Sequence, residues 1–258
     1  MTDAWDPERY QQFETERNEP FFDLLRMIRP SPHMRIIDLG CGTGKLTRFM
    51  HHALHADETL GIDISQEMLR LTESIEEPNL HFKLMDVLDF ANSNSEDKYD
   101  LIISNACLQW IPHHDELLEK LMNHLNNNGQ LAIQIPSNFD YPTHSIAKEL
   151  AAHPPFNHYL EGHHEPAVLK PEQYAEILYK LGFRNQIVRL QVYGHELKSA
   201  ENAIEWIQGS LLTYYRSHLP KEIYQEFFNL YKEKILARFG RTSPFFMPFK
   251  RILLHAQK

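Results

Sequence analysis

The run Asp38-Leu39-Gly40-Cys41-Gly42-Thr43-Gly44 decides how this chain folds. Before it stands Arg35–Leu39 (RIIDL), short and apolar like a buried strand; after it, Lys45–Leu54 carries its apolar residues at helical spacing. A strand, three closely spaced glycines and a helix make a turn where the backbone approaches a ligand closely. The helix N-terminus there offers N–H groups to an anionic part of that ligand. The dinucleotide fingerprint G-x-G-x-x-G would put its third glycine at position 45, which is Lys45; here the third glycine is Gly44. Asp38 makes a second distinction. A carboxylate gains nothing beside a bound anion, but gives an ammonium group a charge-assisted hydrogen bond.

Working outward, Thr59–Asp63 reads as a second strand, and Ser65 as the N-cap of a helix through Met68, Leu69 and Leu71. Leu80–Met85 alternates as a third strand and Tyr99–Ser104 is a fourth. Asp115–Leu125 puts Leu117, Leu118, Leu121, Met122 and Leu125 on one helical face, and Gln130–Pro136 is a fifth strand. Asn92–Asp97 and Asn126–Asn128 read as surface turns. Five strands separated by helices predict a parallel sheet covered on both faces. Beyond it, the spacing predicts helices over Pro171–Leu181, Ser199–Gln208 and Pro220–Arg238, and strands over Gln186–Val192 and Lys250–Ala256. The aromatic run Ser243–Phe249 reads as cover over an apolar pocket or as the entry to the last strand.

Composition excludes several classes. With 258 residues and a formal charge of −9, the chain lacks the basic footprint of a nucleic-acid binder. No apolar run approaches a membrane span, the N-terminus is polar, and two cysteines make no disulfide framework. The expectation is a cytoplasmic protein with a small-molecule ligand, a monomer or weak homodimer, touching neither nucleic acid nor membrane. Full protonation of the 16 histidines would turn −9 into +7. His51 and His55 have the spacing of a helical metal pair, but no E-x-x-H signature accompanies them, and no metal is expected.

The glycine loop headed by Asp38 resembles motif I of the class I S-adenosylmethionine (AdoMet)-dependent methyltransferases. Trp5–Tyr10 continuing to Phe13 and Arg17, Asn105-Ala106-Cys107-Leu108-Gln109-Trp110, and Gln134–Asn138 into Pro142-Thr143-His144 resemble the trans-aconitate 2-methyltransferases. Insect juvenile hormone acid methyltransferases share the Leu-x-Trp element. The resemblance implies a Rossmann-like α/β fold with a seven-stranded, mostly parallel sheet, helices on both faces and a helical cover. It implies one domain over 1–258: a lid at 1–30, a cofactor-binding core at 31–136, cover insertions at 137–182 and 198–249, and last strands at 183–197 and 250–258. AdoMet is the implied cofactor. Asp38, Gly40, Gly42 and Gly44 would hold its amino-acid end, with Tyr10 and Arg17 from the lid. Asp63 with Ile64 would take the ribose, Asp86 with Val87 the adenine, and Asn105 would lie beside the reacting methyl. Gln109 and Trp110 would position the acceptor, joined by His144, Tyr214 and Arg216.

There are departures. The family's Arg seven residues after the tryptophan matching Trp206 is here Thr213, with Arg216 the nearest arginine. The family's Arg close after the proline matching Pro248 is displaced, since Phe249 precedes Lys250 and Arg251. A polycarboxylate favours guanidinium forks, so the particular acid stays open. The implied reaction is O-methylation of a small carboxylic acid, which is ionised at neutral pH and needs no general base. The alternatives are methylation of a carrier-bound malonyl group, an AdoMet-binding protein without catalysis, and a nicotinamide oxidoreductase.

Overall fold

A computed structural model describes residues 14–160 and 168–258, the side chains of 14–17 excepted. Its strands are β1 (Arg35–Leu39), β2 (Glu58–Asp63), β3 (Leu80–Leu84), β4 (Tyr99–Asn105), β5 (Leu125–Pro136), β6 (Arg184–Leu197) and β7 (Phe245–Gln257). They form one seven-stranded sheet in the order β3-β2-β1-β4-β5-β7-β6. β1 runs parallel to β2 and β4, β3 parallel to β2, and β5 parallel to β4, while β7 is antiparallel to β5. This is the Rossmann-like, mostly parallel sheet that the sequence implies.

β6 starts at Arg184 and runs to Leu197, past both ends of the expected Gln186–Val192, and two further strands start well before the residue expected. β7 begins at Phe245, so most of the aromatic run before Lys250 is strand. β5 begins at Leu125 and takes in Asn126–Asn128, read from sequence as a turn. The turn chemistry is real but sits inside the strand. Pairing jumps from Tyr99↔Leu125 to Leu101↔Gln130, and Asn128 adopts a left-handed φ of 64°. An inserted bulge of this kind tolerates Asn and Gly because they accept positive φ.

The chain divides into two units. Among the described residues, the first holds 17–136, 168–191 and 251–258, and the second 14–16, 137–160 and 192–250. Register sorts the first unit's sheet into two unlike faces. Ile37, Leu39, Ile62, Ile102, Ile133, Ile135, Ile252 and Leu254 point to one side and are buried. They share a core with Val87 and Phe90 of the helix Val87–Ala91, Leu117, Leu118 and Leu121 of the helix His114–Asn123, and Tyr174 and Leu178 of the helix Pro171–Lys180. Each such side chain contributes about 1.5–3 kcal/mol by leaving water. The segment 137–182 is thus divided between the units. On the alternate positions of the same strands stand Asp38, Asn105, Gln130, Gln134, Arg251 and His255. There Gln130 accepts from the Arg29 N–H at 2.8 Å, donates to the Arg29 carbonyl at 2.7 Å and meets His255 at 3.0 Å.

The second unit has its own core. The helices Pro142–Ala151, Ala200–Gln208, Leu211–His218 and Lys221–Phe239 bury Ala147, Trp206, Tyr215, Phe227, Tyr231 and Ile235 with Met247 and Phe249. On the long helix, Phe227, Tyr231 and Ile235 are fully buried, and Ile223, Tyr224 and Phe228 partly so. The Tyr231 hydroxyl donates to the Thr143 carbonyl at 2.9 Å, which satisfies the one polar atom its ring carries inward.

Burial also corrects the histidine count. Desolvation holds His51, His114, His124 and His255 below the ordinary imidazole pKa, so mild acid does not charge all 16 together.

Candidate active site

The glycine loop folds back on the end of β2. Gly40 and Cys41 both donate to the Ile62 carbonyl, at 2.8 and 3.0 Å, and Gly44 donates to the Cys41 carbonyl at 3.1 Å. Gly40, Gly42 and Gly44 all have positive φ, at 77°, 56° and 73°, and Gly44 is the N-cap of the helix Lys45–Ala53. Their surroundings differ. A Cβ on Gly40 would lie 2.4 Å from the Cβ and Sγ of Cys107, and one on Gly44 would lie 2.7 Å from the Phe82 ring. A Cβ on Gly42 would meet nothing within 4 Å. Gly40 and Gly44 are therefore glycines for packing, and Gly42 is the one that opens onto space.

Asp63 closes the loop from below. One carboxylate oxygen accepts from the Gly42 N–H and the other from the Ser65 N–H, both at 2.8 Å. The Gly42 N–H expected for a ligand is thus directed to Asp63. Ser65 caps the next helix as its sequence predicts, accepting from the Met68 N–H. Ile64 beside it is 66% exposed, an unusual place for a large apolar side chain. Leu84, the register partner of Asp63, and Leu88 are exposed as well. Asp86 follows β3 and caps the helix Val87–Ala91, its carboxylate accepting from the Leu88 N–H at 2.6 Å. The Val87 side chain lies in the apolar core, leaving only its backbone to any ligand.

Asp38 is buried and accepts a 2.6 Å hydrogen bond from Thr47, a partner the sequence did not single out. Burial, with Asp63 nearby, pushes its carboxyl up to about 7 against the Thr47 hydrogen bond. The thiols of Cys41 and Cys107 are pushed up by burial and by the same carboxylates, so both stay protonated and serve packing.

After β4 the chain turns sharply, with Ala106 at a φ of 55°, into a 3-10 turn over Leu108–Trp110. His114 pins this turn, with one ring nitrogen 2.8 Å from the Leu108 carbonyl and the other 2.5 Å from the Tyr174 hydroxyl. Gln109 donates from Nε2 to the Ala106 carbonyl at 2.7 Å. Its Oε1, like the Oδ1 of Asn105, is buried with no hydrogen-bond partner among the described residues. Trp110 is exposed.

Asp38, the glycine loop, Asp63 and Cys107 are thus gathered at the C-terminal ends of β1, β2 and β4, with Asp86 close enough to act on the Cys107 thiol. Three other candidates belong to the second unit. His144 is buried between the rings of Phe139 and Phe249 and lies 3.0 Å from the Thr143 hydroxyl. Tyr214 stacks on His218, and Arg216 is half-buried on the same helix. Thr213 donates to the Ser210 carbonyl at 2.5 Å, so the position that carries Arg in the resembled family holds a hydroxyl turned back on its own helix. Tyr10 lies outside the described residues, as does the Arg17 side chain. One group among the described residues, His51, His52 and Glu77, brings its donor atoms within 4.8 Å. Arg48 already holds Glu77 at 2.7 Å, and His51 is 2.9 Å from Thr59, which leaves little for a cation.

A methyltransferase-domain family model matches residues 30–182. The trans-aconitate 2-methyltransferase of Deinococcus radiodurans is 34% identical over 260 residues, covering 99% of this chain and 98% of that one. The chain belongs to the AdoMet-dependent methyltransferases. The trans-aconitate 2-methyltransferase of Mycobacterium tuberculosis is 28% identical over 98% of this chain and 96% of its own. Among solved structures, a Bacillus halodurans protein described as a putative methyltransferase superposes with a TM-score of 0.61 at 14% identity, covering 92% of this chain and 97% of that one. The phosphoethanolamine N-methyltransferase 2 of Haemonchus contortus, in complex with S-adenosyl-L-methionine, superposes at 0.55 and 17% identity over 93% of this chain. This chain spans about half (52%) of that protein's length. These likenesses carry the class I methyltransferase fold. No helix among the described residues is long and apolar enough to cross a membrane.

Proposed function

We propose that this methyltransferase esterifies a carboxylate of a small organic acid of the trans-aconitate kind. The chemistry of the loop after β4 carries this reading. From Asn105 to Trp110 the side chains offer amides and an indole, and Cys107 holds its proton; none of these six residues is suited to take a proton from an acceptor at neutral pH. A carboxylate acceptor needs none, being already ionised. The full-length similarity to trans-aconitate enzymes supports the same acceptor class.

The residues at the strand ends fit AdoMet. The open side of Gly42 admits a ligand against the backbone, and the two oxygens of the Asp63 carboxylate, each with lone-pair capacity beyond its one backbone hydrogen bond, suit a vicinal diol. In this reading Asp63 exchanges its hold on Gly42 for the ribose hydroxyls. Exposed Ile64, Leu84 and Leu88 line the adenine end, with Asp86 and the Val87 backbone at its rim. Asp38, a buried carboxyl with a raised pKa, is stabilised as an anion by the ammonium end, and Asn105 Oδ1 accepts from the same region. Arg17 is assigned to the methionine carboxylate from sequence alone.

AdoMet, when bound, supplies an electrophilic methyl on a sulfonium. The chain's part is orientation. Gln109 and Trp110 hold the acceptor oxygen in line and keep water from solvating it, which governs the rate when no proton moves. The test is methyl transfer from tritiated AdoMet to a panel of mono-, di- and tricarboxylic acids, with base-labile release of label marking an ester. Asp63→Ala is expected to raise the AdoMet dissociation constant at least roughly tenfold while the fold survives. Transfer to amines or alcohols, stable to base, would overturn the acceptor class; unchanged AdoMet binding in the variant would remove Asp63 from the site.

A further inference from the structure

The turn that carries Gln109 and Trp110 is bracketed by two residues in the left-handed region. Ala106 before it and His113 after it each have a φ of 55°. Neither is glycine, and such conformations persist only where neighbouring structure enforces them. The turn's own backbone bonds run from the Trp110 N–H to the Cys107 carbonyl at 3.2 Å and from the Ile111 N–H to the Leu108 carbonyl at 2.9 Å. His114 ties it to a helix far along the chain.

His114 is 3% exposed, and Tyr174 is completely buried. The two ends of their hydrogen-bond chain fix its direction. The Leu108 carbonyl can only accept, so His114 Nε2, 2.8 Å away, carries the ring proton. The Leu169 N–H can only donate, and it reaches the Tyr174 hydroxyl at 3.2 Å. The neutral ring then leaves Nδ1 to accept the Tyr174 proton, at 2.5 Å. One tautomer of neutral His114 satisfies every bond in the chain. A second proton, on Nδ1, would face the hydroxyl and leave the hydroxyl's own proton unpaired in a buried place. Burial already holds the His114 pKa below its ordinary value, against Asp115, the next residue on the same helix. The first turn of the helix His114–Asn123 also disfavours a cation. From the facing helix Pro171–Lys180 the titratable group is Tyr174, whose proton burial retains. Residues 108–111 bear no charge, and the His113 side chain is exposed.

We propose that His114 and Tyr174 are positioning residues for the acceptor, holding the Leu108–Trp110 turn in place only while His114 carries a single proton. This deepens the carboxylate-acceptor reading and rests on it, since Gln109 and Trp110 matter here as acceptor contacts. Methyl transfer to a carboxylate moves no proton, and Tyr174 occupies Nδ1, so His114 is no general base. Acid instead loosens the turn. The acceptor end of the site loses its shape, while the methyl-donor residues at the ends of β1, β2 and β3 keep theirs.

The experiment follows the indole N–H resonance of Trp110 in the isotopically labelled full chain, assigned with Trp110→Phe, from about pH 4.5 to 8. It is run with S-adenosylhomocysteine bound, for the wild type, Tyr174→Phe and His114→Gln. In the wild type the resonance is expected to shift in one titration with its midpoint below about 6.5. Tyr174→Phe removes the bond that favours the neutral ring, so the midpoint rises by about half a pH unit or more. His114→Gln keeps an amide donor for the Leu108 carbonyl and has no second proton to gain, so the shift disappears. S-adenosylhomocysteine affinity, read by calorimetry, changes less than about threefold in both variants. Acceptor use is read with trans-aconitate at saturating AdoMet above about pH 5.5, where the acid is ionised. Its kcat/KM is expected to fall with the Trp110 shift in the wild type, to drop about tenfold in Tyr174→Phe, and to lose its pH dependence in His114→Gln. A Trp110 resonance that ignores pH in the wild type, or titrates equally in His114→Gln, would overturn the proposal. So would a midpoint unmoved in a folded Tyr174→Phe, or a kcat/KM that stays flat while the resonance titrates. No transfer to trans-aconitate, with the resonance behaving as expected, would count against the small-acid reading and leave the His114–Tyr174 hold on the turn standing.

Discussion

The two faces of one sheet are built for different work. On one, Ile37, Ile62, Ile102, Ile133 and Ile252 meet three helices in an apolar core. On the other, the same strands present Asp38, Asn105, Gln134 and Arg251 at their ends. Strand alternation makes this division cheap: one residue of offset sends a side chain to the opposite side. The lesson is that stability and ligand chemistry can be separated within a single strand. Ile37 and Asp38 are chain neighbours with different tasks.

The glycine loop repeats the contrast on a smaller scale, and there the largest effect is expected. Gly40→Ala forces a Cβ into Cys107 and keeps a left-handed φ, which together cost about 4 kcal/mol. Gly42→Ala meets no neighbour, so the fold should lose only about 1 kcal/mol. Its Cβ, however, enters the space assigned to AdoMet, and binding should fall sharply. Denaturant melts beside AdoMet titrations read both; equal stability losses would break the contrast.

Ile133→Ala follows, expected to cost about 3 kcal/mol through the cavity it leaves, with AdoMet affinity unchanged. A large change in affinity in this variant would mean the faces are not independent.

Asp38 sharpens the comparison through pH. Its carboxyl is raised from 3.8 to about 7, so the folded state holds a proton that the unfolded state releases. Stability from this group is full below 3.8 and is lost as pH rises toward about 7. An ammonium ligand favours the ionised form, so AdoMet affinity should rise through that same pH. Asp38→Asn should flatten both profiles, with melting temperature and AdoMet affinity measured across neutral pH; an unchanged affinity profile would take Asp38 out of the ligand's reach.

The first five strands were legible because each is a short apolar run closed by Asp, Gly or a capping residue. Asp63 follows from that punctuation because it ends β2, and Asp38 and Gly42 because they stand on either side of the end of β1 at Leu39. Local rules failed where a turn lies inside a strand, as at Asn128, and where prolines interrupt one, as at Pro248 in β7. They also missed where short-range hydrogen bonds take a side chain. Gln109 turns onto the Ala106 carbonyl, and Asp63 holds the Gly42 N–H, neither of which spacing reveals. That Asn105, Gln134 and Arg251 share one face of the sheet was beyond reach for another reason. It depends on pairing between β4, β5 and a strand far along the chain, and register of that range is set by tertiary packing.

The sheet order has a consequence for synthesis. β7 lies between β5 and β6, yet β6 leaves the ribosome first. At roughly 5–20 residues per second, β6 waits a few seconds for the strand that joins it to the rest. During that interval its backbone donors and acceptors lack their sheet neighbour, and Ile187, Leu190 and Val192 remain exposed even once folding is complete. β6 is thus the last strand to be tied into the sheet although it is not the last to be made, an order fixed by topology and independent of how stable the finished sheet is.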